Sequence, residues 1–221
     1  MENRIKLARV LAVGSVGYAI AFYMAGGALK PGYSHTANFI SELNATGTPW
    51  AQELGLFGFV PLGLLLAAFL WVAYPVGRAA GASRSGFLLL WSQPLAYIGV
   101  AAAPCDPGCP ADGSSLQQVH NLLGLVTYFA AAAGFFLLSF HPRLAIGGRW
   151  FLRTAAIAWL GLFIVMLAPE FSPVRGLLQR VAEAILWSCV LLVAWRMLGR
   201  PDHASAAPNN SSKPTPLRGA A

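Results

Sequence analysis

Five polar breaks divide this 221-residue chain into six long apolar stretches, at about 8–29, 52–74, 87–104, 116–140, 154–169 and 175–198. A helix needs roughly 20 apolar residues to cross the hydrocarbon core of a bilayer, and five of the six reach or approach that length. The fifth is short, but Phe151 and Leu152 extend it. None shows the period-2 alternation of a membrane β-barrel strand. At 57% hydrophobic and 10% charged residues, the chain also departs from the make-up of soluble domains. The reading is all-α: a polytopic membrane protein with six transmembrane helices in one bundle, forming a single domain over residues 1–199. From residue 200 the composition turns to Pro, Ala, Ser and Asn, which predicts a disordered tail over 200–221.

Charge is sorted along the breaks. Twelve of the fifteen Lys and Arg residues fall at the two ends and in alternate breaks, whereas the other breaks keep only Lys30, Arg175 and Arg180. Acids take the opposite side, with Glu42, Glu53, Asp106, Asp112, Glu170 and Glu183 there and only Glu2 and Asp202 elsewhere. Cytoplasmic loops carry excess Lys and Arg, so both termini are expected inside. The formal net charge of +7 therefore reflects orientation and anionic lipid, and nucleic acid is not an expected partner. The first stretch is too long for a cleaved signal peptide. A bacterial cytoplasmic membrane is the expected location, with the bilayer as the one certain partner; protein partners are not specified by the sequence.

Prolines and glycines mark the spans. Pro61 and Pro94 lie inside the second and third spans, where each frees a backbone carbonyl that a neighbour must satisfy. Gly14, Gly17, Gly26 and Gly27 in the first span are expected to permit close helix approach.

Polar residues concentrate on the acidic side, in four places. Residues 34–43 have apolar positions at 37, 39, 40 and 43, the spacing of a short amphipathic helix in the interface. That segment carries His35, Asn38, Ser41 and Glu42. The break between the third and fourth stretches holds Asp106 and Asp112, and the fourth stretch opens with Gln117-Gln118-Val119-His120-Asn121. The sixth opens with Gln179-Arg180-Val181-Ala182-Glu183, in which Arg180 and Glu183 share a helix face. Ionisable groups at such depth are costly and are functional candidates by default.

Two readings compete. A structural network would pair Arg180 with Glu183 or Glu42 and use His120 as a staple. A site would use His120 as general acid/base with Glu42 or Asp106 beside it, and Ser41, His35, Arg180, Glu183 and Gln117 as ligand contacts. His35, His120 and Asp106 or Glu42 are metal-ligand types, yet they lack a tight His-x-x-His spacing, so no metal and no cofactor is expected. Histidines are too few and badly spaced for stacked haems, and no Walker loop, Gly-x-Ser-x-Gly or His-Glu-x-x-His occurs.

The cysteines divide by place. Cys189 lies mid-span, where it packs as a small residue. Cys105 and Cys109 share the loop Pro-Cys-Asp-Pro-Gly-Cys-Pro on the outer side, which suits a disulfide, free thiols or a two-thiolate metal site.

Tyr33-Ser34-His35 followed by Phe39-Ile40-Ser41-Glu42-Leu43-Asn44-Ala45 resembles the Ser-Glu-Leu-Gly-Ala signature of a prokaryotic family of integral membrane proteins, the domain of unknown function 998. The likeness continues through the Gly-rich second stretch, the Pro-Cys-Asp loop leading to His120, and Gln179-Arg180, covering about residues 8–198. Asn44 stands where that motif usually has Gly. The resemblance implies a multi-helix membrane protein with Ser41, Glu42, Asp106, His120 and Arg180 as its candidate site, and it implies no activity. The expectation is an outward-facing polar pocket that binds a lipid or small ligand without catalysis. The alternative is an intramembrane hydrolase or transferase acting on an outer-leaflet lipid through a His/carboxylate pair.

Overall fold

The computed structural model describes residues 1–77 and 79–198, so the tail expected over 200–221 lies outside the described residues. Among the described residues six helices are long and apolar enough to cross a membrane: α1 Glu2–Leu29, α2 Ala51–Gly77, α3 Ala82–Ala102, α4 Ser115–Leu138, α5 Ile146–Leu167 and α6 Arg175–Met197. No strand occurs among the described residues. Each helix packs on its neighbours in the chain and α6 returns to α1, closing a ring.

Several helices begin earlier than hydropathy predicts. α1, α3 and α5 start at Glu2, Ala82 and Ile146, so Arg4, Arg84, Arg149 and Arg153 lie inside helices. Hydropathy marks the edge of the apolar run, not of the helix. A long basic side chain can lie along an apolar surface while its charge reaches outward. Arg153, for instance, donates to Ser139 Oγ and lies over the rings of Trp150 and Phe140.

Pro61 and Pro94, the two prolines expected to free a carbonyl, behave as their chemistry requires. Pro61 follows a π-helical turn, Gly55–Phe59, and the carbonyl four residues before it, Phe57 O, accepts from the Tyr18 hydroxyl of α1. Pro94 sits in the first turn after a break at Leu90–Trp91, and the corresponding carbonyl, Leu90 O, accepts from Gln93 N at 3.1 Å.

Of the α1 glycines expected to permit close helix approach, only Gly26 meets another span, at Leu54 of α2. Space is open around Gly14 and Gly17, and it is the side chains of Leu43 and His35 that press on Gly26 and Gly27. Tight helix contacts lie elsewhere. A Cβ at Gly86 of α3 would stand 2.7 Å from Leu138 N and 2.8 Å from Gly134 O of α4. One at Gly63 of α2 would meet Pro94 O of α3 at 2.9 Å.

The breaks gather at opposite ends of the ring. At the basic end, arginines satisfy the last carbonyls of α6: Arg143 Nη1 donates to Met197 O at 2.8 Å and Arg9 Nε to Ala194 O at 3.2 Å. Cations there also oppose the negative end of the helix dipole. His141 is buried beside them, with Nε2 2.8 Å from Gly77 O. The other end, built from residues 30–50, 103–114 and 168–174, holds the polar constellation.

Candidate functional site

The segment after α1 is not an amphipathic helix lying in the interface. Residues 35–37 form a turn closed by Asn38 N on Ser34 O, and Ile40–Asn44 form a 3₁₀ helix whose every residue is buried. The segment plugs the end of the bundle because its polar groups find partners there. Lys30 Nζ donates to the carbonyls of Glu42 and Leu43 and to Thr48 Oγ1, closing the segment back on the end of α1. Burial pushes the Lys30 ammonium below its ordinary pKa, with Glu42 acting in the opposite sense. Glu42 Oε1 accepts from Phe39 N at 2.9 Å and Oε2 from Asn38 Nδ2 at 2.8 Å. Asn44, at the usual Gly position, donates to Val100 O of α3 at 2.9 Å, a bond glycine could not make.

Arg175 holds the plug from α6. Its Nη2 lies 3.0 Å from Glu42 Oε1 and 3.0 Å from Gly108 O, its Nε donates to Ala37 O at 3.2 Å, and its guanidinium covers the Phe39 ring. Glu42 is thus paired with Arg175, not with Arg180. Arg180 instead donates to Asn38 O at 3.1 Å, to the Tyr33 hydroxyl at 2.7 Å and to His35 Nδ1 at 3.0 Å. Gln179 Oε1 accepts from Ile40 N at 2.5 Å. Gly176 is required beneath this loop: a Cβ there would lie 2.2 Å from Asn38 O.

Because Arg180 can only donate, His35 Nδ1 accepts and the ring is neutral. Desolvation and, secondarily, the Arg180 charge lower its pKa. A histidine with a lowered folded-state pKa takes up its proton more readily when unfolded, so its stabilising effect is present at neutral pH and lost as pH falls below the ordinary value of about 6.5. Buried His141 is lowered too, by burial and the Arg143 charge, with its Gly77 bond opposing. The protein should therefore melt at lower temperature as pH falls from about 7 to about 5. His35→Gln should reduce that drop, as read by thermal unfolding in micelles at both pH values. An unchanged drop would remove His35 from the account.

The 103–114 loop is tied to the start of α4. Asp106 accepts from Ser114 Oγ and Ser114 N, each at 2.8 Å, and Ser114 in turn caps α4 through Gln117 N. Gln117 Oε1 accepts from Asp106 N at 2.7 Å and its Nε2 donates to Asn121. Cys105 and Cys109 are joined in a disulfide, and Thr46 N donates to Cys105 O, linking loop to plug. His120 is buried one turn further on, its Nδ1 3.0 Å from Ala103 O.

Deeper in the bundle, Glu183 Oε2 accepts from the hydroxyls of Tyr23 on α1, at 3.0 Å, and Tyr97 on α3, at 2.5 Å. A cavity of about 90 Å³ lies between this carboxylate and the plug, lined among others by Ser41, Gln93, His120, Thr127, Gln179 and Glu183. Gln93 is 3% exposed and its side-chain nitrogen has no hydrogen-bond partner among the protein atoms.

Of the residues singled out from sequence, Ser41, His120 and Glu183 line this cavity, whereas Glu42, Asp106, His35, Arg180 and Gln117 bond within the plug and loop around it. Sequence reasoning gave no part to Arg175, Gln93, Tyr23 or Tyr97. Arg175 and Gln93 carried a signal, one as a rare cation on the acidic side and the other as an amide inside an apolar run beside Pro94. The tyrosines carried none, since a tyrosine in a span is ordinary.

Fold and constellation together define a multi-pass helical membrane protein with a plugged polar end. A protein-family model described as a protein of unknown function, DUF998, matches residues 12–196, and the chain belongs to that family. No curated protein and no solved structure matches it.

Proposed function

We propose that the protein binds the polar group of a lipid or of a small molecule in the cavity beneath the plug, without turning it over. In this reading it is a single-domain protein of a bacterial cytoplasmic membrane with both ends inside, and the cavity faces outward. The charge sorting supports the orientation.

Gln93 carries the binding reading. A buried amide without a partner costs about 1–3 kcal/mol, and an amide held at that cost beside a polar cavity is placed to meet a ligand. The space suits a few waters or a headgroup-sized moiety, not a whole lipid.

The catalytic alternative draws on His120 and Glu183 lining one cavity. Against it, both carboxylates proposed to assist His120 have their oxygens engaged elsewhere, Glu42 by Arg175, Asn38 and Phe39, and Asp106 by Ser114.

Thermal unfolding in micelles tests the reading, with two probes: phosphatidylethanolamine, and free phosphoethanolamine. At about 100 times its dissociation constant a ligand adds about 2.7 kcal/mol, or roughly 5–10 °C for a chain of this size. Gln93→Leu should remove that shift while leaving the unliganded protein as stable as wild type or up to about 2 kcal/mol more so. A shift from the lipid alone assigns the occupant to the bilayer, and a shift from both assigns it to the headgroup chemistry. No shift from either, or a Gln93→Leu protein that is less stable without ligand, would sink the proposal. Release of phosphoethanolamine from the lipid would favour the hydrolase.

A further inference from the structure

The loop disulfide lies against His120. One ligand atom from each of Cys105, Cys109 and His120 falls within 4.8 Å of the others. We propose that opening this disulfide creates a binding site for a zinc-class divalent cation, with two thiolates and one imidazole as ligands. It does not depend on the ligand reading above.

Four observations carry the proposal. The two cysteines are separated by three residues, within the two-to-four spacing common in zinc sites. His120 is already oriented: its Nδ1–H donates to Ala103 O, which puts the lone pair on Nε2. Zinc-binding histidines are fixed in this way by a backbone carbonyl or carboxylate on the other nitrogen. Ser41 Oγ stands 3.6 Å from Cys109 Sγ, so an oxygen neighbours the fourth position of a tetrahedron. Charge decides the kind of metal. Cys105 is wholly buried, and two thiolates sum to zero with a dication but leave a net negative charge with a monovalent ion such as Cu(I).

The state of the pair gates the site, because a disulfide offers no thiolate. Burial dictates the chemistry of opening. Cys109 is half-buried where Cys105 is inaccessible, so a thiolate of an external dithiol attacks the Cys109 sulfur. That step forms a mixed disulfide and expels Cys105 as thiolate. The second thiol of the reductant then attacks the mixed disulfide, leaving as a cyclic disulfide and releasing Cys109. The dithiol loses two electrons and the cysteine pair gains them. The dication then replaces the protons of the two thiols.

The test uses the full chain with Cys189→Ala, so that the loop pair supplies the only thiols, reduced with a phosphine under inert gas. Cd²⁺ is the probe, read by equilibrium dialysis and by the ultraviolet thiolate-to-metal band. One Cd²⁺ per chain should bind after reduction and none before it. His120→Ala should weaken binding roughly 100-fold, at least the loss that follows removal of an outer-shell partner. X-ray absorption on the reduced wild-type site should give two sulfurs and one nitrogen, an outcome that needs no variant to fold. No Cd²⁺ on the reduced protein, affinity unchanged in His120→Ala, or a shell without nitrogen would each overturn the proposal.

Discussion

Arg175→Met should lower stability by about 3 kcal/mol, the low end for breaking a buried ion pair, because the guanidinium is still 23% exposed. For a chain of this length that is a fall of roughly 6–12 °C in thermal unfolding. The loss has a definite source. Glu42, with 7% of its side chain exposed, is left as an unpaired charge, and the carbonyls of Ala37 and Gly108 lose a donor. Glu42→Gln in the same chain should recover part of it, since the orphaned charge is gone. Arg175→Lys should recover little, because an ammonium cannot span three acceptors and cover the Phe39 ring in one geometry. A single variant as stable as wild type would mean that Arg175 does not hold the plug.

Glu183→Leu should cost about 2–6 kcal/mol, the sum for two buried hydroxyls deprived of their acceptor at about 1–3 kcal/mol each. Tyr23 and Tyr97 come from different helices, so this one carboxylate joins α1, α3 and α6. Glu183→Gln retains a carbonyl oxygen and should cost far less. The pair of variants separates acceptor from charge, and unfolding in micelles reads both. Equal losses would mean that the charge itself holds the three helices together.

Much of this architecture was legible before any coordinates. Six spans follow from run lengths because a bilayer imposes a minimum, and Pro61 and Pro94 announced carbonyls that needed partners. That Tyr18 would supply one was not legible, since nothing in a sequence reports which helix faces another; the other is met locally by Gln93 N, three residues along the same span. The candidate residues lie at one end of the ring, and their pairing was not legible. Arg180 looked like the partner of Glu183 because they are three residues apart on one face, yet long side chains reach 142 residues back to the Asn38 carbonyl. The segment 34–43 had helical apolar spacing, and what overrode it was partly local, Glu42 capping Phe39 N, and partly tertiary, Arg175 and Gln179 claiming the backbone that a longer helix would have used internally.

The plug also fixes an order of assembly. Its partners on α6 lie 133–147 residues further along the chain, so the segment is synthesised long before the α6 groups that hold it. The seal forms only when the last helix arrives. A chain truncated before Arg175 would keep the plug and its ties to Lys30, Val100 and Cys105 but lose Arg175, Gln179 and Arg180, which hold it from α6.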